Sequence, residues 1–208
     1  MRALRILATL GLFSAMIWPA TAETTYTCLG QEATVVGTPE RDYIHDGAGT
    51  VIVGLGGDDD IDGSVICGGK GRDTLEGAEV SGGPDNDSII GFPGTVAYGG
   101  TGDDTLWDTS LTSGALYKGN AGNDRYIDNG GDDVFYGGPG NDLTYDRDGS
   151  AGGADRIYGG DGDDSLNTNE RDSVDGPDFV SGGPGTDTCI VSPDDTVVGC
   201  ETVTVAGS

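Results

Sequence analysis

Basic residues and histidine are scarce in this sequence. Ten lysines and arginines face 36 aspartates and glutamates, for a formal net charge of −26, and His45 is its one histidine. That balance excludes a nucleic-acid partner, because a phosphate backbone is held by clustered Lys and Arg. It also leaves little for catalysis. No nucleophile-elbow motif is present, and GGKGRDT from Gly68 is not a phosphate loop, since Lys70 comes too early and no Gly-Lys-Ser/Thr follows. Clustered aspartates could act as paired acids, so the rival reading is a secreted hydrolase with an unrecognised acidic metal site. No segment outside the glycine-rich region is long enough for a catalytic domain, and the chain is read as a non-enzyme.

Long apolar runs are also scarce. The one example, ILATLGLFSAMIW, follows Arg2 and Arg5 and precedes ATA before Glu23. That is the three-part layout of a secretory signal peptide over residues 1–22, with cleavage after Ala22. The run is too short for a comfortable membrane span, and no second one follows. The expected product is a secreted, extracellular chain with no transmembrane segment, and loss of two arginines takes its formal charge to −28.

What the chain has in excess is glycine, 40 residues of it, laid out in a nine-residue pattern of G-G-x-G-x-D-x-U-x, with U large and apolar. The pattern appears as GLGGDDDID from Gly54, GGKGRDTLE from Gly68, GGPDNDSII from Gly82 and GGTGDDTLW from Gly99. It continues as GNAGNDRYI from Gly119, GGPGNDLTY from Gly137, GGDGDDSLN from Gly159 and GGPGTDTCI from Gly182. Glycines at positions one, two and four permit the positive φ of a tight turn. The x-U-x tail is a minimal strand in which only U points inward. Turn, strand, turn, strand is the plan of a parallel β-solenoid, so the fold class is all-β.

On these motifs the chain resembles the hemolysin-type calcium-binding repeat, or RTX, family, of the small secreted bacterial type. The resemblance implies several Ca²⁺ ions held between stacked turns by aspartate carboxylates and glycine-turn carbonyls. The aspartates so implicated are Asp59, Asp73, Asp87, Asp104, Asp124, Asp142, Asp164 and Asp187, with Asp42 in a weaker loop where Glu40 replaces a glycine. The glycines are Gly54, Gly56, Gly68, Gly71, Gly82, Gly99, Gly102, Gly119, Gly122, Gly137, Gly140, Gly159, Gly162, Gly182 and Gly185. Oxygen-only ligands on a glycine turn suit a hard cation. In GGPDNDSII, Asp85 replaces the glycine at position four.

Successive repeats start 14, 14, 17, 20, 18, 22 and 23 residues apart, close to two nonapeptides, so each interval is one coil and these loops stack on a first edge. On the second edge, Asp133, Asp155 and Asp178 occupy the aspartate position. Ser64, Ala78 and Thr95 stand there in earlier coils, so that end is expected to lack metal and to tolerate substitution at Ser64 or Thr95. Residues 37–190 form the expected solenoid, with an N-terminal capping strand in 23–36 and a C-terminal cap in 191–208. Stacked strands lie ~4.8 Å apart, which separates Cys67 from Cys189 by ~30 Å and leaves Cys28 with Cys67 and Cys189 with Cys200 as the pairs.

Outward aromatics form rows: Trp107 and Tyr145 on one strand column, Tyr98, Tyr136 and Tyr158 on the other. Such rows could dock a cell-surface protein or a glycan, but stacking across strands is the preferred reading. The chain is taken as a monomer, and its expected partner is Ca²⁺.

Overall fold

The computed structural model describes residues 24–147, 152–168 and 176–206. The expected signal peptide, residues 1–22, lies outside the described residues. The described chain has no helix and winds as a stack of parallel rungs, a β-solenoid.

Two inward columns form its core. One runs Ile44, Ile61, Leu75, Ile89, Leu106, Tyr126 and Thr144, then Leu166 and Cys189, with the exposed Val203 in register at its end. The other runs Val35, Ile52, Ile66, Val80, Ala97, Tyr117, Phe135, Ile157, Val180 and Val197. Each rung thus gives one side chain per column, as alternation along a strand requires. The core is a single file of pairs, with Tyr117, Tyr126 and Phe135 stacked at ring-centroid distances of 5.1 and 5.0 Å. Thr144 is the polar exception. Its hydroxyl accepts from Asn167 N–H at 2.7 Å and donates to Asn167 O, which satisfies it inside the core.

The early coils turn their second edge without a loop. Tyr43–Gly56, Asp60–Lys70, Thr74–Pro84 and Ser88–Thr101 are continuous strands bent at this corner, where Gly63, Gly77 and Gly91 pair in register. From Thr105–Asp108 and Leu116–Ala121 onward, the strand breaks and a turn appears. The coils without a second-edge aspartate at position six, with Ser64, Ala78 and Thr95 there, therefore coincide with the loop-free end.

At the N-terminus, where a single strand was expected, Thr27–Cys28 and Gln31–Glu32 form a small antiparallel hairpin about Leu29 and Gly30. Only then does Val35–Val36 join the rungs. At the other end, Thr196–Val198 and Thr202–Val205 pair in parallel with the two columns, so the residues read as a C-terminal cap continue the coil. Cys28 is bonded to Cys67 and Cys189 to Cys200, with Cα atoms 5.6 and 6.1 Å apart, one link at each end. On the outer faces Tyr136 stacks on Tyr158 at 4.8 Å, and Lys118, Arg125 and Arg147 lie over Tyr136, Tyr145 and Trp107. The aromatic rows are stacked on each other and on the few cations.

Candidate metal centre

Each first-edge aspartate is placed by three local features of its repeat. A glycine at position two or four takes the left-handed turn, the x-U-x strand anchors U in the core, and the aspartate between them is drawn in under the turn. Positive φ falls on positions two and four, as at Gly100 and Gly102 in the repeat from Gly99. Position one does not have it. Gly54, Gly68, Gly82, Gly99, Gly119, Gly137, Gly159 and Gly182 are needed for another reason: a Cβ there would overlap Oδ2 of the aspartate of the same repeat. In the first of these repeats the turn falls on Gly57, φ 105°, and not on Gly56, which was expected among the ligating glycines. Asp85 takes φ 80° in place of glycine, a conformation that a short polar side chain tolerates.

The aspartates then form a ladder. Asp42 N–H donates to Asp59 Oδ1, Asp59 N–H to Asp73 Oδ1, and so on through Asp87, Asp104, Asp124, Asp142, Asp164 and Asp187, at 2.8–2.9 Å. Glu201 Oε2 closes the series by accepting from Asp187 N–H. A second series runs the opposite way at position five, where Asn86, Asp103, Asn123, Asn141 and Asp163 each accept the position-five N–H of the following coil. On the second edge, Ala115, Asp133, Asp155 and Asp178 donate in turn to Asp133, Asp155, Asp178 and Asp195.

One oxygen per aspartate is thereby used and the other is not. Oδ2 of Asp59, Asp73, Asp87, Asp104, Asp124, Asp142, Asp164 and Asp187 is buried and has no hydrogen-bond partner among the described residues. Buried carboxylate oxygens are ordinarily paired, since leaving one bare costs free energy. Asp42 differs: its Oδ2 accepts from the backbone N–H and hydroxyl of Thr38. No Lys or Arg makes an ion pair with these first-edge aspartates among the described residues.

Burial therefore pushes the carboxyls up. Asp87 rises to about 8, Asp104 and Asp142 to about 7, and Asp73, Asp124 and Asp164 to about 6. Desolvation is the main cause, opposed by the backbone N–H that each accepts, with neighbouring aspartates adding repulsion. A row of buried, unpaired oxygens beside glycine-turn carbonyls is an all-oxygen donor set, and it fits a hard divalent cation such as Ca²⁺.

Asp195 and Glu201 were not singled out in the sequence, although D-T-V at 195–197 and E-T-V at 201–203 repeat the acid-x-U spacing. Thr95 also differs from expectation. It is buried, accepts from Phe92 N–H at 2.7 Å and donates to Gly77 O at 3.0 Å, so it is a structural hydrogen-bonding residue and not a tolerant filler.

No curated protein matches the chain. A family model, the RTX calcium-binding nonapeptide repeat, matches four times, at residues 96–109, 118–145, 151–170 and 174–198. The earlier coils from Gly54, Gly68 and Gly82 carry the same aspartate ladder without a break. The chain is a member of the RTX calcium-binding nonapeptide repeat family.

Proposed function

We propose that this is a secreted, non-enzymatic calcium-binding protein whose stacked turns take up Ca²⁺ and fold on doing so, serving as a structural or surface-interaction module. The observation that carries the reading is the unbroken row of buried Oδ2 atoms without partners. Once ionised, these carboxylates, on a chain of net charge −26, repel one another along an edge beside a core one side chain thick. A bound cation removes that repulsion, so its binding free energy becomes folding free energy. The eight loops from Asp59 to Asp187 enclose seven gaps, one ion each, and Asp133, Asp155 and Asp178 enclose two more on the second edge.

Two disulfides support an oxidising, extracellular setting. The hydrolytic reading is the weaker one, because the position-six carboxylates are buried. Circular dichroism with chelator at neutral pH should show largely unstructured chain, gaining β signal on millimolar Ca²⁺. Full β structure with chelator would defeat the reading.

A further inference from the structure

The ladders leave one group of acids without a role. Asp108 and Asp128 are not at position six; they occupy position one of their second-edge turns, where the repeat has glycine. Asp108 pairs with Gly91 of the coil before, and Asp128 with Asp146 of the coil after. Asp133 comes round the turn to meet them, and one oxygen from each of Asp108, Asp128 and Asp133 lies within 4.8 Å of the other two. Their exposures are 0%, 6% and 1%.

Apart from the carboxyl of Asp155, which hydrogen-bonds Asp128, the groups that donate to them are neutral. Tyr117 OH donates to Asp108 Oδ1 at 3.1 Å, Gly130 N–H to Asp128 Oδ1 at 2.8 Å, and Tyr126 OH to Asp133 Oδ2 at 2.6 Å. Asp108 Oδ2 is buried and has no hydrogen-bond partner among the described residues. The chain position is informative too. In the turn that Asp108 opens, Ala115 stands at position six, so that turn has no aspartate of its own there, and Asp108 brings a carboxylate to it from the other side.

We propose that Asp108, Asp128 and Asp133 hold a divalent cation of the Ca²⁺ class in a three-carboxylate site that shares Asp133 with the second-edge ladder and is distinct from the one-aspartate-per-turn sites of the first edge. Three buried carboxylates so close cannot all ionise without a positive charge among them. Oxygen-only donors select a hard cation. Tyr117 and Tyr126 act as outer partners, reaching from the core to fix the carboxylates of Asp108 and Asp133. The alternative occupant is a proton shared with Asp155, which hydrogen-bonds Asp128.

The proposal is independent of the first-edge ladder, and the test separates them. Ca²⁺ per chain is counted by native mass spectrometry for the unmodified protein, Asp108→Asn, Asp128→Asn, the double variant, and Asp104→Asn as a ladder control. The expected result is one ion fewer in each of the first two, no further loss in the double variant, and a separate loss in Asp104→Asn. Unchanged counts in Asp108→Asn and Asp128→Asn, with a loss in Asp104→Asn, overturn this site and leave the ladder standing; no Ca²⁺ on the unmodified protein overturns both. Should the asparagine variants fail to fold, Tb³⁺ luminescence excited through tyrosine is compared for the unmodified protein and Tyr117→Phe. A fall in emission at unchanged ion count is expected, and unchanged emission overturns the site.

Discussion

Replacing Asp104 by asparagine should change stability in opposite directions with and without Ca²⁺. Asparagine keeps an oxygen that can accept the Asp87 N–H now held at 2.8 Å by Asp104 Oδ1, so the ladder bond survives. What disappears is the charge. In the metal-free fold the Asp104 carboxyl stands at about 7 against an ordinary 3.8, chiefly because it is buried. With the folded value raised, the stabilisation is fully present below about pH 4 and is lost as pH rises through 7. At about 1.4 kcal/mol per unit of pKa, ionisation of this one group opposes the metal-free fold by about 4 kcal/mol at pH 8.

The substituted amide would not incur that cost, whereas in Ca²⁺ the same substitution removes a charged ligand. Losing one ion held at 100 times its Kd forfeits about 2.7 kcal/mol. The assay is β signal against pH in chelator, together with thermal unfolding in millimolar Ca²⁺. The variant should lose its metal-free β signal at a higher pH than the unmodified protein and melt at a lower temperature in Ca²⁺. A shift of the same sign in both conditions would refute the argument that this carboxylate opposes folding until a cation meets it.

The same linkage acts across Asp73, Asp87, Asp124, Asp142 and Asp164, all raised by burial. Metal-free protein should therefore gain β structure as pH falls from about 8 to about 5, and the Ca²⁺ requirement should weaken together with it; a loss of structure on acidification in chelator would reverse the sign. Thr95→Ala removes the hydroxyl that serves the part-buried Phe92 N–H and the buried Gly77 carbonyl and should cost about 1 kcal/mol, read as a lower urea midpoint in Ca²⁺, while Ca²⁺ stoichiometry stays the same. Removing the Cys28–Cys67 link, 39 residues apart, should destabilise by about 4 kcal/mol, and removing Cys189–Cys200, 11 apart, by about 3 kcal/mol on loop-closure entropy. Thermal melts of the paired alanine variants check both, and a larger loss at the C-terminal pair would contradict the estimate.

The inward columns were readable in advance because D-x-U repeats at a nearly constant interval. Ile61 to Cys189 and Ile66 to Val180 stack as that spacing requires. The glycine at position one was recognisable but its reason was not: it makes room for Oδ2 and does not take a left-handed turn. Asp195 and Glu201 escaped notice because no glycine precedes Asp195 in its turn and Glu201 has Gly199 alone, although their spacing to Val197 and Val203 follows the rule. Asp108 and Asp128 sit where the pattern has glycine, so a reading keyed to position six passes over them. The hairpin at Cys28 consists of two-residue strands, too short for any periodicity to register.

The most direct test of the central claim is anomalous scattering from crystals of the full chain grown in Ca²⁺. Peaks should lie beside the Oδ2 atoms of Asp59, Asp73, Asp87, Asp104, Asp124, Asp142, Asp164 and Asp187, one between each pair of neighbouring first-edge turns. Well-ordered turns with no anomalous peak beside those oxygens would contradict it.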